Sequence, residues 1–115
     1  MKKLFLLTLV CIGTIAAAAE PAYIDKFKSL ADQGNADAGF CLGMAYGSGA
    51  SVRQDTKQAM HWFQIAAKKG HPIAEFMMGK AHYNGWEMKK NYAEAANWFR
   101  CSADKGFAPA QYWLL

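Results

Sequence analysis

The main pattern of this chain lies in residues 42–70, which read LGMAYGSGASVRQDTKQAMHWFQIAAKKG, and it recurs in residues 78–106 as MGKAHYNGWEMKKNYAEAANWFRCSADKG. Superposing residues 34–69 on residues 70–105 without a gap gives 11 identical pairs in 36 positions. These pairs are Gly34/Gly70, Ala38/Ala74, Phe40/Phe76, Gly43/Gly79, Ala45/Ala81, Gly49/Gly85, Ala59/Ala95, Trp62/Trp98, Phe63/Phe99, Ala67/Ala103 and Lys69/Lys105. A fixed period of this length, kept mainly by small and apolar residues, indicates stacked helical repeats.

Each unit is predicted to contain two helices, A and B. Apolar residues recur at helical spacing in both, as in Ala38, Leu42 and Ala45. The predicted A helices cover about Asp37–Gly47 and Ile73–Asn84, and the predicted B helices cover about Thr56–Lys69 and Tyr92–Lys105. Asp55 and Asn91 are predicted to cap the amino ends of the B helices, because their side chains can accept a hydrogen bond from a free backbone amide.

The glycines have two predicted roles. Gly70 and Gly106 follow the B helices and are expected to adopt the left-handed conformation that ends a helix. Gly43 and Gly79 lie inside the A helices, where a glycine costs about 1 kcal/mol relative to alanine. Because both units carry that cost at the same position, we expect a neighbouring helix to approach too closely for a Cβ atom.

The spacing of these residues resembles that of the Sel-one-like repeat family, which is related to the tetratricopeptide repeats. The resemblance rests on Leu42-Gly43-x-x-Tyr46-x-x-Gly49, Ala59-x-x-Trp62 and Ala66-Ala67-x-x-Gly70, and it covers residues 23–115. It implies an all-α fold, an α/α solenoid with a right-handed superhelical twist. The family usually has a second turn glycine where this chain has Ser51 and Glu87.

The domain plan follows from this frame. Residues 20–34 form a half repeat or amino-terminal cap, residues 35–70 and 71–106 form two repeats, and residues 107–115 begin a third. We therefore expect five helices followed by the start of another A helix, which leaves Tyr112, Trp113 and Leu114 exposed. The incomplete third unit suggests a truncated reading frame or a fragment of a longer array, and it makes self-association through this end possible.

Residues 1–19 have the features of a cleavable secretory signal peptide. Lys2 and Lys3 precede an apolar run from Leu4 to Ile15, and the alanines at 16–19 suit cleavage. The run is shorter than the roughly 20 residues that span a bilayer. We expect the mature chain to be periplasmic or secreted, with no stable membrane insertion after cleavage.

The charge pattern excludes some partners. The formal charge is +4, from 13 basic and 9 acidic residues, and Lys2 and Lys3 are among the basic ones. No Lys- or Arg-rich block follows them beyond pairs such as Lys68–Lys69 and Lys89–Lys90, whereas nucleic-acid binding needs a clustered basic surface. We expect a protein or peptide partner, no nucleic acid and no cofactor.

Neither the cysteines nor the histidines form a site in the sequence. Cys41 and Cys101 occupy non-equivalent repeat positions, so we expect buried free thiols and no disulfide. His61, His71 and His82 have no metal-binding spacing, and we predict no metal site. His61 is expected to be exposed and His82 half-buried.

One motif raises an enzymatic alternative. Residues 102–105, Ser-Ala-Asp-Lys, match the S-x-x-K nucleophile motif of serine β-lactamases, and some exported relatives of the repeat family have been linked with β-lactam binding. The partner motifs S-D-N and K-T-G do not occur. Ser102 occupies a B-helix packing position and Lys105 a helix end, so we expect both to be structural and the protein not to be an enzyme.

The inner face of the A helices is the predicted binding surface. In the related tetratricopeptide fold this face lines a concave groove, and the alignment assigns eight residues to it: Asp37, Phe40, Met44, Gly47, Ile73, Phe76, Lys80 and Tyr83. Phe40 and Phe76 also suit packing between repeats. We predict an exported, non-catalytic scaffold that binds a peptide or protein here. The alternatives are a β-lactam-binding or β-lactam-hydrolysing enzyme, or an inert fragment.

Overall fold

A computed structural model describes residues 21–115, and in this range every regular element is an α-helix. The helices are α1 (Ala22–Asp32), α2 (Ala36–Ser48), α3 (Thr56–Lys68), α4 (Pro72–Asn84), α5 (Tyr92–Asp104) and α6 (Ala108–Trp113). Successive helices pack against one another along the chain. The predicted all-α architecture of five helices and the start of a sixth is thereby confirmed. The predicted signal peptide, residues 1–19, lies outside the described residues.

The helix starts depend on side-chain caps at the same place in each unit. Asp55 and Asn91 accept hydrogen bonds from the backbone N–H of Gln58 and Glu94, as predicted. Asn35 and His71 cap the A helices in the same way, and the sequence analysis did not assign these two caps. They explain why α2 and α4 begin one residue earlier than predicted.

The B helices end as the repeat pattern predicted. Gly34, Gly70 and Gly106 have φ angles of 97°, 90° and 88°, which is the left-handed region. The N–H of Gly70 donates to Ala67 O at 2.9 Å, and the N–H of His71 donates to Ala66 O at 3.1 Å. These two hydrogen bonds satisfy two backbone carbonyl groups that would otherwise be unpaired at the helix end.

Close contact between the helices of one unit depends on Gly43 and Gly79. A Cβ atom at Gly43 would lie 2.5 Å from Cδ1 of Phe63, and one at Gly79 would lie 2.6 Å from Cδ1 of Phe99. The predicted close approach is therefore confirmed, and the partner is the phenylalanine ring of the B helix. The B-helix stripe of α3 is buried as well: Ala59, Trp62, Phe63, Ala66 and Ala67.

The turns between A and B helices share one frame and differ in detail. The N–H of Asp55 donates to Tyr46 O, and the N–H of Asn91 donates to His82 O, both at 2.9 Å. Each turn begins with a left-handed glycine after the A helix. In the second turn Glu87 also has a positive φ of 53°, at the position where the family usually has glycine.

Aromatic rings connect one repeat to the next. Phe40 lies 6.0 Å from Phe63 and stacks on His71, with 4.6 Å between ring centroids. Phe76 makes the equivalent contacts with Phe99, at 5.7 Å, and with Phe107, at 5.2 Å. The same phenylalanine thus fills the same inter-repeat space twice.

The cysteine prediction is half wrong. Cys41 and Cys101 are free thiols, but both are exposed to solvent, not buried. Cys41 directly precedes the buried Leu42, and Cys101 lies two residues after the buried Phe99. Neighbouring positions on a helix point in different directions, so these thiols face away from the core.

None of the helices in residues 21–115 has both the length and the apolar character required to cross a membrane.

Candidate functional site

The eight residues predicted to bind a partner differ widely in exposure. Met44 and Tyr83 are exposed, with 46% and 43% of their surface accessible, whereas Phe76 is 9% accessible. The side chain of Asp37 is also exposed, at 87%. Phe40, Gly47, Ile73 and Lys80 are half-buried.

Phe40 and Phe76 pack between repeats. Each ring contacts the B-helix phenylalanine of its own unit and the first ring of the following unit, His71 or Phe107. This arrangement agrees with the packing role that the sequence analysis weighed for them. Phe76 is buried, so it belongs to the core and not to the exposed surface of α4.

Met44 and Gly47 border an apolar groove. It lies between α2, α3, α4 and the turn after α4, and its volume is about 480 Å³. Its walls contain no charged side chain and are lined by Gly43, Met44, Gly47, Ser48, Gln54, Thr56, Ala59, Met60, Phe63, Met77 and Trp86. We call this feature the apolar groove. The flexible methionines along it can adapt to side chains of different shape.

Three of the largest groove residues were not assigned by the sequence analysis: Met60, Met77 and Trp86. At these positions the two repeats differ, with Ala96, Cys41 and Ala50 at the equivalent places. A search for identical residues in the two repeats finds those that pack in the same way in both units. It does not find residues that occur in one unit only, as these three do. An excess of methionines and one added Trp over the repeat frame was the signal that could have found them.

Lys80 and Tyr83 lie beyond the groove walls. The ammonium group of Lys80 is 5.6 Å from the ring centroid of Trp86, which itself lines the groove. Tyr83 instead joins an aromatic cluster with Tyr92, at 5.2 Å, and Trp113, at 5.1 Å. Of the predicted residues, Met44 and Gly47 line the apolar groove and Lys80 lies at its edge, whereas Tyr83 belongs to a separate aromatic cluster.

Asp37 and His71 form a polar link between the two repeats. Oδ1 of Asp37 lies 3.1 Å from Nε2 of His71. Nδ1 of the same imidazole accepts the N–H of Ala74 at 3.2 Å. His71 thus caps α4 and contacts Asp37 of α2 at the same time.

Ser102 and Lys105 are engaged in structural contacts. The Ser102 hydroxyl is fully buried and donates to Pro72 O at 2.7 Å. Nζ of Lys105 contacts both carboxylate oxygens of the buried Glu75, at 2.8 and 2.7 Å. A nucleophile must reach its substrate and have a base within reach. This serine instead faces the backbone of α4, and the lysine neutralises a carboxylate.

A second cavity of about 480 Å³ lies between α3, α4 and the turn after α4. It is lined by Lys57, Met60, His61, Gln64, Met78, His82, Glu87 and Met88. His61 is exposed and His82 half-buried, as predicted. Across residues 21–115, no group of three His, Cys, Asp or Glu side chains is arranged to hold a metal ion.

Comparison with known proteins supports the repeat assignment. The Sel1 repeat family model matches residues 38–71 and 72–107. A crystal structure of a Sel1 repeat protein from Oxalobacter formigenes superposes with a TM-score of 0.75 at 31% sequence identity, covering 82% of this chain and 71% of that chain. No curated protein matches the chain significantly.

A second similar structure belongs to a much longer protein. It is that of c5321, a protective antigen present in uropathogenic Escherichia coli strains that displays an SLR fold. The TM-score is 0.73 and the sequence identity 36%, over 79% of this chain and 20% of that chain. This chain therefore spans about a fifth of the length of that antigen.

Sel1 repeat proteins generally mediate protein–protein interactions, and the fold is typically a non-catalytic scaffold. The two stretches that the family model matches correspond to the two units of the 36-residue period. This chain belongs to the Sel1 repeat family.

Proposed function

We propose that this protein is an exported, non-catalytic scaffold that binds a segment of another protein in the apolar groove beside its A helices. The observation that carries the proposal is the groove itself, with the exposed Met44 at its edge. Removing apolar surface from water contributes about 25 cal/mol per Å². An exposed methionine above an uncharged cavity is therefore a favourable place for an apolar side chain of a partner.

The size of the groove suits a short segment. A volume of about 480 Å³ lies within the roughly 300–1,000 Å³ that is usual for ligand pockets. Ser48, Gln54 and Thr56 provide hydroxyl and amide groups in the walls. Ser48 and Gln54 already bond to the backbone at the end of α2 and in the turn after it, so recognition would depend mainly on the apolar anchor side chain that enters the groove.

The buried hydroxyl of Ser102 weighs against the β-lactam alternative. Because it donates to Pro72 O, attack on a substrate would require α5 to separate from α4. The pairing of Lys105 with Glu75 removes the nearest candidate base. These contacts favour a scaffold over an enzyme.

Export and self-association are further parts of the proposal. Residues 1–19 support export to the periplasm or the medium, because they combine basic, apolar and small-residue segments in the order of a signal peptide. Self-association through α6 and the two residues after it is supported by the exposed apolar side chains there, including Tyr112 at 74% and Leu115 at 102%. Both leave the groove available to a partner.

The groove is tested by a quantitative pull-down from periplasmic extract with the wild type, Met44→Glu and Tyr23→Glu. Tyr23 lies on α1, away from the groove, and is 40% exposed, so its variant is the matched control for adding a charge to an exposed apolar position. We expect the wild type and Tyr23→Glu to capture the same proteins, and Met44→Glu to retain less than about a tenth of them, because a buried unpaired carboxylate is costly. The mass of the purified protein will also report cleavage after Ala19.

Identical captures by all three proteins would reject the groove as the binding surface. Absence of any specific capture would favour the inert-fragment alternative. Turnover of a chromogenic β-lactam that is lost in Ser102→Ala would reject the scaffold in favour of the enzyme.

A further inference from the structure

Lys80 holds a positive charge at the edge of the apolar groove. Its ammonium nitrogen lies 5.6 Å from the ring centroids of both Phe76 and Trp86. Contacts of this kind with aromatic faces hold an ammonium group in place without neutralising it. We propose that the partner segment carries an Asp or Glu side chain next to its apolar anchor, and that this carboxylate pairs with Lys80. This inference rests on the proposed function of the groove.

No acidic neighbour along α4 can satisfy this charge. Residues three and four positions away on a helix share a face, and for Lys80 these are Phe76, Met77, Tyr83 and Asn84. Within residues 21–115 the ion pairs that the structure describes are Asp37–His71 and Glu75–Lys105, and neither involves Lys80. Within the described residues, Lys80 is thus not part of an ion pair that the structure describes.

Trp86 connects the charge to the groove. Trp86 lines the groove, and the ammonium group of Lys80 lies over the ring of the same Trp86. An anchor side chain in the groove would therefore bring its own chain within a side-chain length of the ammonium group. The partner's acidic residue should lie within about four positions of the anchor, since an extended chain advances about 3.3 Å per residue.

The repeat frame shows why the recognition is asymmetric. Lys80 is equivalent to Met44 of the preceding unit, so the same A-helix position is apolar in one repeat and basic in the next. No groove-lining side chain carries a charge of either sign. A partner with an apolar residue alone would leave Lys80 unpaired, and a partner with a basic residue would meet a like charge.

The test uses nine-residue synthetic peptides that are acetylated and amidated, so that no terminal charge contributes. Each carries one Leu, Met, Phe or Trp anchor and either Asp or Asn at one of the positions from four before to four after the anchor. Fluorescence anisotropy will measure the affinity of each Asp and Asn pair for the wild type, Lys80→Gln, Lys89→Gln and Met44→Glu. Lys89 is an exposed lysine of the same turn region and controls for the loss of one positive charge.

We expect Asp peptides to bind the wild type and Lys89→Gln about 3–10-fold more tightly than their Asn partners, somewhat above the range of a fully exposed ion pair. In Lys80→Gln that ratio should fall to about 1, and all binding should weaken in Met44→Glu. Equal binding of Asp and Asn peptides to the wild type, or an equal loss in both lysine variants, would overturn the acidic-partner inference. Sensitivity to Met44→Glu would then still support the groove, whereas peptides that do not bind, or that bind independently of Met44, would overturn both.

Discussion

Gly43 and Gly79 show how a single missing side chain can determine the distance between two helices. Each glycine faces a phenylalanine ring of the B helix at a distance that leaves no room for a methyl group. The sequence predicted this close approach because an unfavourable helix residue recurs at one repeat position. The sequence did not show which residue approaches the glycine. Phe63 and Phe99 also contact Phe40 and Phe76, so their identity in the two repeats does not by itself indicate a contact with the glycine.

Gly43→Ala should lower the free energy of unfolding by up to about 2 kcal/mol. Alanine is worth about 1 kcal/mol more than glycine within a helix, but its Cβ would meet Phe63 at 2.5 Å, and overpacking of that kind typically costs 1–3 kcal/mol or more. Urea unfolding of both proteins gives the difference.

Gly47→Ala is the matched control on the same helix. The nearest atom to its Cβ is the Cβ of Ala59 at 3.6 Å, which is an ordinary contact. This variant should be as stable as the wild type or more stable, by up to about 1 kcal/mol. Equal stabilisation by both substitutions would show that the Phe63 ring moves aside without cost.

The turns between A and B helices combine a shared hydrogen bond with local differences. The sequence placed a glycine at the start of both turns and noted that Ser51 and Glu87 replace a second one. The structure shows that the two replacements are not equivalent, because Glu87 has a positive φ and Ser51 does not. A left-handed conformation costs a residue with a Cβ roughly 1–2 kcal/mol, so the second turn contains local strain.

Glu87→Gly should therefore raise the free energy of unfolding by about 0.5–1 kcal/mol. Glycine removes the steric cost and returns part of that gain through the larger entropy of the unfolded chain. Ser51→Gly is the control, and it should be neutral or slightly destabilising because no positive φ is relieved. The urea midpoints of the two variants measure this, and a parallel gain in both would contradict the assignment of strain to Glu87.

The type of the capping residue explains only part of which helix ends were predicted, because Asn35 is also a common cap and was not assigned. Asp55 and Asn91 were assigned from sequence because their side chains are common caps. His71 was not, since its imidazole caps α4 through Nδ1 while its Nε2 contacts Asp37 of the preceding repeat. The burial of Cys41 was predicted wrongly because it was inferred from the usual burial of free thiols and not from the helix face on which the residue lies. A position next to a buried residue in sequence need not share its helix face.

The apolar groove is a property of the assembled repeats, and this limits what the sequence alone can show. Met44 was predicted as a binding residue because the repeat alignment assigns it to the inner face of its A helix. Met60 and Trp86 reach the same cavity from α3 and from the turn after α4, and their distance along the chain gives no indication of that. Stacking creates the groove from residues that the repeat alignment treats as unrelated.

The exposed apolar side chains of α6 should make the protein self-associate. Trp113 stacks on Phe99, with 5.3 Å between ring centroids, and so covers one face of its ring. Tyr112 and Leu115 have no such cover and are 74% and 102% exposed. Burying them against a second copy would remove apolar surface from water at about 25 cal/mol per Å².

Light scattering should show a mass that rises with protein concentration, and the rise should disappear in a Tyr112→Glu/Leu115→Glu double variant. Tyr23→Glu changes an exposed tyrosine at the other end of the described chain and should leave the rise unchanged. A wild-type protein that remains monomeric at high concentration, or a Tyr23→Glu variant that is the one to lose the association, would show that α6 is not the contact surface.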